Sequence, residues 1–279
     1  MKILSEKKIT SAVKDALIEI NYKLDDTFIS RLENAKDNES NALSKSILED
    51  ILENQEIAKQ GVNPLCQDTG VAVIFADVGI ELKIDGTLEK AINEGVKLAY
   101  DEGYLRKSMV RHPFDRANTK DNTPAVIHTN LVKGNKLTLH LAAKGAGSEN
   151  MSKVFMLKPS DGIEGVKKVV KDTIFNSGGK PCPPIIVGIG IGGNFEKSTL
   201  LAKQALFRDL NDSSDDPIIK ELEDNLYTEI NALGVGPMGV GGDTTCVGVK
   251  INTFPMHIAS LPVAINIQCH ANRHKKVVL

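Results

Sequence analysis

The chain has no tryptophan, and only four of its 279 residues are tyrosine. So sparse an aromatic complement leaves little on which nucleobases could stack. Neither sign of charge dominates: 34 lysines and arginines stand against 36 aspartates and glutamates, a formal net charge of −2. Without a basic field the chain does not read as a nucleic-acid binder. Apolar runs are short and broken by glycine, so no membrane span is expected. Residues 1–20 carry charges throughout and lack the apolar segment of a secretory leader. Cysteine is scarce too, four in all, with none of the paired knuckles of a structural zinc site and no ferredoxin-type run. So few cysteines in a chain this long, with no leader, do not make a disulfide framework; a reducing cytoplasm fits better.

What is present is a mixture of helical and strand patterns. Residues 1–60 read as helical. Ile9, Val13, Ala16, Leu17 and Ile20 recur on one helix face, a short helix is expected over Leu24–Leu32, and Leu43, Ile47, Leu48, Ile51 and Leu52 mark a third near 39–60. Gly61 can stop that helix, and Pro64 follows. Residues 71–76 predict a strand, with Ile80–Ile84 as its neighbour after a turn, then a helix over 86–102. The charged stretch 105–124 predicts a loop or functional rim. Strands are expected at 125–129 and 137–143, joined by a turn at Lys133–Asn135. A helix over 162–176, a buried strand over 185–191, helices over 195–209 and 218–232, and strands at 245–252 and 262–267 complete the pattern, with Arg273–Lys276 as a basic tail. This irregular order predicts an α+β (mixed α/β) fold: an N-terminal helical layer packed on an irregular mixed-sheet region. A single domain over 1–279 is expected, with 1–60 as its helical subregion.

Two glycine-rich segments invite comparison with phosphate loops. Gly188-Ile189-Gly190-Ile191-Gly192-Gly193 follows a predicted strand and precedes a predicted helix. It lies mid-chain, and no acidic residue ends a second strand about 20 residues on, as a dinucleotide site would need. Close strand-to-helix packing is the plainer reading. Gly145–Asn150 is a second loop of small residues, where Lys144, Ser148 and Asn150 supply polar groups; an exposed turn and a ligand-lining loop are both open.

The cysteines sit in turn-rich strings: Asn63-Pro64-Leu65-Cys66-Gln67-Asp68-Thr69-Gly70, Gly179-Lys180-Pro181-Cys182-Pro183-Pro184, Thr245-Cys246-Val247 and Gln268-Cys269-His270. Thiolates are soft ligands suited to iron–sulfur clusters, zinc or copper. Three of them converging on folding could hold a cluster with one iron open. The alternative is that some or all are ordinary buried thiols.

Taken with Arg111–Pro124, Lys144–Asn150, Gly178–Gly193, Gly234–Thr245 and His257–His274, these strings resemble the alpha subunit of two-subunit class I fumarases and of their relatives the L(+)-tartrate dehydratases. These are iron–sulfur hydro-lyases, and the resemblance covers nearly the whole chain. It implies that Cys66, Cys182 and Cys269 hold a [4Fe–4S] cluster and that Cys246 does not. It implies that Asp68 and His257 are catalytic, and that Gln67, Arg106 and the backbone at Ala146 line the substrate site. An arginine suits a substrate carboxylate because its planar fork matches that anion. The single-chain relatives carry glycine where Ala146 stands. The implied activity is reversible hydration of fumarate to (S)-malate, a step of the tricarboxylic acid cycle, with dehydration of L(+)-tartrate to oxaloacetate as the alternative. A beta subunit is expected to carry the remaining catalytic residues, and alpha chains to self-associate into a heterotetramer.

Overall fold

The structure, a computed structural model, describes residues 2–279. In chain order the elements begin with β1 (Lys2–Ser5), α1 (Glu6–Tyr22), α2 (Asp26–Asn38), α3 (Ala42–Lys59), β2 (Val71–Gly79), β3 (Leu82–Asp85) and α4 (Leu88–Glu102). They continue with β4 (Val126–Val132), β5 (Leu137–Lys144), the single turn α5 (Ala146–Glu149), β6 (Lys153–Leu157), α6 (Gly162–Ser177) and β7 (Ile185–Gly192). The last are α7 (Phe195–Ala205), α8 (Pro217–Asn231), β8 (Cys246–Phe254), β9 (Leu261–Gln268) and β10 (His274–Val278). The fold is mixed α/β, with helices at the chain start and open mixed sheets. The chain divides into two compact units, one comprising the chain up to Asp25, Asn54–Ala146 and Arg273–Leu279, the other Asp26–Glu53 and Gly147–Asn272. The boundary falls inside α3 and inside α5.

In the first unit a four-stranded sheet runs in the order β10-β5-β2-β4. Strand β5 alternates as half-buried sheets do: Leu137, Leu139, Leu141 and Ala143 point to the core, Thr138, His140 and Ala142 away from it. Helices α1 and α4 cover the core face through Ile9, Val13, Leu17 and Ile20 and through Ile92, Val96, Ala99 and Tyr100. The segment Ile80–Ile84 is not the neighbour of β2. Both flanks of β2 are taken, by β4 in parallel and β5 antiparallel, and β3 pairs with β1 in a separate parallel ribbon. Strand β1 occupies the first residues, where a helix is expected; Ser5 Oγ then accepts from Lys8 N (3.4 Å) and starts α1. Strands β4 and β5 are not paired either, because their connection crosses the end of β2, where Gly79 N donates to Lys136 O (2.9 Å). The basic tail is strand β10. Its lysines mark an edge strand protected by charge, while Val277 and Leu279 pack on the core.

In the second unit the order is β6-β9-β7-β8, with β7 parallel to β8 and antiparallel to β9. Strand β6 is an edge strand that the sequence pattern does not announce. On one face α6 and α8 pack Val166, Val170, Ile174, Leu222, Leu226 and Ile230 against Val187, Ile189, Val249 and Ile265. On the other face lies α7. A strand covered on both sides reads as one apolar run, as β7 does. Its glycines serve packing: a Cβ on Gly190 would lie 2.0 Å from Ser198 O, and one on Gly188 2.4 Å from Ala202 O. Helix α7 ends four residues before the expected 209, because Leu206 and Phe207 bond back three residues, to Lys203 and Gln204, and tighten the last turn. Among the described residues no helix is long and apolar enough to cross a membrane.

Gly190→Ala forces α7 off β7. The expected outcome is a loss of about 3 kcal/mol or more, read as a lowered urea midpoint; an unchanged midpoint would contradict this packing.

Candidate functional site

After α3 the chain runs without helix or strand to Val71. Buried backbone outside a ladder must find other partners, and groups from elsewhere in the unit supply several of them here. Leu65 N donates to Asn21 O (2.8 Å), and Leu65 O accepts from Asn54 Nδ2 (2.9 Å). Asp68 O accepts from Arg273 Nη1 (2.6 Å). The hydroxyl of Tyr100 donates to Thr69 O (2.7 Å) and Gly70 O (2.8 Å), and Asn122 Nδ2 donates to Gly70 O (3.1 Å). Gly70 has φ +78°, and a Cβ there would lie 2.8 Å from the backbone of Ala143 and Lys144; only glycine lets the turn lie on the end of β5.

The product of this scaffolding is a fixed carboxylate. Asp68 Oδ1 accepts from Gly70 N (3.0 Å) and Oδ2 from Ala146 N (2.8 Å). Each oxygen keeps a further acceptor site. Cys66 and Asp68 are half-buried and Gln67 is exposed. Thr69 Oγ1 donates to Arg106 O (2.7 Å), which anchors Arg106 beside the turn with its side chain exposed. Cys66, Gln67, Asp68, Arg106 and Ala146 are thus gathered in the first unit. The amide of Ala146 is spent on Asp68, so this residue can line a site only with its methyl and carbonyl.

Three residues that the sequence reading passes over hold this site: Tyr100, Asn122 and Arg273. Tyr100 is fully buried, and burial pushes its phenol well above the usual range, with Asp68 adding to the rise and Arg273 opposing it. It therefore stays a donor. Asn122, also fully buried and at φ +61°, accepts at Oδ1 from Ser108 N (2.7 Å) and Met109 N (3.2 Å). Its signal was the Asp121-Asn122-Thr123-Pro124 turn. Tyr100 had one as well, as the aromatic residue at the end of the α4 stripe.

The second unit carries Cys182, Cys269 and His257. Cys182 lies in the proline-framed turn before β7 with φ +55°. Its carbonyl accepts from His270 N (3.3 Å) and lies 3.0 Å from His270 Nδ1. The structure therefore brings the Cys182 turn against the Cys269-His270 segment at the end of β9. His257 is elsewhere. The register Ile186↔Gln268 sets both cysteine segments at one end of β7, whereas Gly192↔Phe254 and Ile191↔Val263 set the Pro255–Ser260 connection at the other. An eight-residue strand separates them by roughly 25 Å. His257 is exposed and lines a shallow cavity of about 540 Å³ with Gly193, Asn194, Lys197, Phe254, Pro255 and Met256. Its Nδ1 accepts from Ala259 N (3.1 Å), so in the neutral ring the proton sits on Nε2, ready to donate.

None of the four cysteines is in a disulfide. Cys246 is fully buried in β8, and burial drives its thiol well above the usual range. Cys66, Cys182 and Cys269 are half-buried. Among the described residues no group of three or more His, Cys, Asp or Glu side chains is gathered closely enough to hold a metal ion. Of the three thiols expected to converge, the structure brings together the segments of Cys182 and Cys269, and Cys66 belongs to the other unit. The donor set fits a cluster by its chemistry: three thiols near solvent, outside disulfides and on turns, and a fourth sealed in a strand.

Comparison with known proteins gives the class of this chain, a hydro-lyase type of enzyme. The chain is a member of the family described as fumarate hydratase (fumerase), whose profile matches residues 10–278. It is 44% identical over 273 residues to the putative L(+)-tartrate dehydratase subunit alpha of Methanocaldococcus jannaschii, covering 95% of each chain. It is 30% identical over 272 residues to the L(+)-tartrate dehydratase subunit alpha of Escherichia coli K12, covering 95% of this chain and 89% of that one.

Alkylation of the native chain is expected to label Cys66, Cys182 and Cys269 at least about tenfold faster than Cys246, as read by peptide mass spectrometry. Comparable labelling of Cys246 would show that its strand is not sealed.

Proposed function

We propose that this chain is the alpha subunit of an iron–sulfur hydro-lyase that dehydrates L(+)-tartrate to oxaloacetate, active with a separate beta subunit. The observation that carries the reading is the 44% identity, over 95% of both chains, to a protein bearing that subunit name. The sequence alone does not decide between the two substrates, and the resemblance puts fumarate first. The names of the relatives weigh toward tartrate, and hydration of fumarate to (S)-malate stands as the second reading because the family profile carries that name.

Cys66, Cys182 and Cys269 are the residues that would hold a [4Fe–4S] cluster. When bound, that group supplies Lewis-acid polarisation of the departing hydroxyl at an iron without a protein ligand. The chain's own groups do the rest. Arg106 pairs with a substrate carboxylate through its exposed guanidinium. Asp68, clamped by the amides of Gly70 and Ala146, handles a proton or holds a water through the remaining acceptor site on Oδ1 or Oδ2. Gln67 offers an exposed amide to the substrate hydroxyls, which number two in tartrate and one in malate.

His257 donates from Nε2. Its place at the far end of β7 from Cys182 and Cys269 supports a role in the site of a second alpha chain rather than in its own. The exposed apolar side chains of Phe254, Met256 and Ile258 beside it support that contact.

Anaerobically reconstituted alpha–beta complex is expected to show kcat/KM for L(+)-tartrate about tenfold or more above that for (S)-malate, since one hydroxyl is read by polar contacts. Preference for malate and fumarate selects the second reading, and no turnover of either overturns both. Replacing Cys66, Cys182 or Cys269 by serine should abolish bound iron and sulfide, whereas Cys246→Ser should keep them.

Mixing inactive Asp68→Asn and His257→Asn alpha chains with wild-type beta tests the shared site. Random pairing creates one intact site in half of the dimers, so activity should recover to about a quarter of wild type. No recovery would mean that His257 acts within its own chain or not at all.

A further inference from the structure

Arg273 immediately precedes β10 and is 2% exposed. Its Nη1 donates to Asp68 O (2.6 Å) and to Asn21 Oδ1 (3.0 Å). Its Nε is buried with no hydrogen-bond partner. Both acceptors are neutral, and among the described residues no carboxylate lies within ion-pair distance of this guanidinium, although buried arginines ordinarily pair with one. The cost of burying it is retained at one place, behind the turn that carries Cys66 and Asp68.

The surrounding groups are themselves fixed. Asn21 Nδ2 donates to Leu17 O (2.8 Å), so its Oδ1 faces Arg273 in one orientation. Arg273 O accepts from Ala143 N (3.0 Å), which locks the residue to the end of β5. Gly145 follows that strand. A Cβ on it would lie 3.1 Å from Asp68 Oδ2 and 3.5 Å from Arg273 Nη2. The carboxylate and the guanidinium therefore flank the same small gap, and the next amide, Ala146 N, is the one that grips Asp68 Oδ2.

We propose that Arg273 is a positioning residue for Asp68: from inside the first unit it pins the Asp68 carbonyl to α1 and β5, so that the carboxylate meets the Gly70 and Ala146 amides in one orientation. The proposal rests on the hydro-lyase reading for its kinetic consequences and on the geometry alone for its effect on the turn. Both bonds leave one nitrogen, Nη1, held in the plane of a rigid guanidinium; lysine can replace the charge, but its ammonium rotates on a flexible stem and does not fix those two directions. Glutamine can replace one hydrogen bond but not the charge.

The test compares Arg273→Lys and Arg273→Gln with Asp68→Asn and with each double variant. Hydrogen exchange on the full-length alpha chain comes first, because it needs neither cluster nor turnover. Exchange at the Gly70 and Ala146 amides should accelerate about tenfold or more in both Arg273 variants, with β2 and β5 interior amides unchanged. Acceleration spread evenly over the unit means a merely structural role, and no acceleration overturns the proposal. In the complex with beta, kcat should fall about 10- to 100-fold with KM moved less than about threefold, as misorientation of a reacting group predicts. Adding Arg273→Gln to Asp68→Asn should cost little more. Full additivity of the two losses would overturn action through Asp68. If Asp68→Asn alone is harmless, the hydro-lyase assignment of Asp68 fails, while the exchange result still decides whether Arg273 holds the turn.

Discussion

The arrangement depends on satisfying the backbone of one irregular segment. From Leu65 to Gly70 the chain belongs to no ladder although Leu65, Thr69 and Gly70 are buried, and buried carbonyls left bare there would each cost about 1–3 kcal/mol. The protein meets them with side chains that reach in from distant parts of the sequence: Tyr100 from α4, Asn122 from the loop before β4, Arg273 from the edge of β10 and Asn54 from the end of α3. Such partners do more than cancel a penalty. A turn held at four points by groups on packed elements cannot drift, and the residues it exposes, Cys66, Gln67 and Asp68, inherit that rigidity. A reacting group borne on a loop gains from it, because small misplacements are costly to rate.

The same principle explains why the helices matter. Tyr100 can share its one proton between two carbonyls only because α4 is held against α1 by Val96, Ala99 and Ile92. The phenol stays protonated in that apolar setting, so its direction of donation does not change over the range in which proteins work. Gly70 and the end of β5 come together because no Cβ stands between them. The core of the first unit is thus a mount for one turn.

How much of this could be read in the sequence follows from how local each signal is. Helices with a clean stripe, such as α1 and α6, and the both-sides-buried β7 were legible because periodicity is carried by the segment itself. Pairing was not. That β2 takes β4 and β5 as neighbours, leaving β3 to β1, depends on competition between strands far apart in the chain. Edge strands were hidden by the charges that protect them: Lys275 and Lys276 make β10 read as a tail. The site divided in the same way. Asp68 and Ala146 stand in strings distinctive enough to be singled out and Arg106 in the charged stretch 105–124, and hydrogen bonds through Asp68 and Thr69 join the three. Tyr100 ends the α4 stripe and Arg273 stands in the His257–His274 string, but nothing in either stretch names the carbonyl it reaches. Their importance lies wholly in what they touch.

Strand β7 sets a further constraint. It is sealed on both faces, by α7 on one and by α6 and α8 on the other, and its glycines admit no slack against α7. Cys182 opens the strand, and the connection bearing His257 lies past its end. Motion of a loop can move a side chain a few ångströms, but it cannot shorten a packed strand of eight residues. Groups at opposite ends of such a strand therefore cannot serve one small substrate within a single second unit. If both serve the reaction, the chain must borrow one of them from another copy. On that condition the exposed apolar residues around His257, Phe254, Met256 and Ile258, lie where such an association would have to form, opposite the end of the strand that displays Cys182 and Cys269.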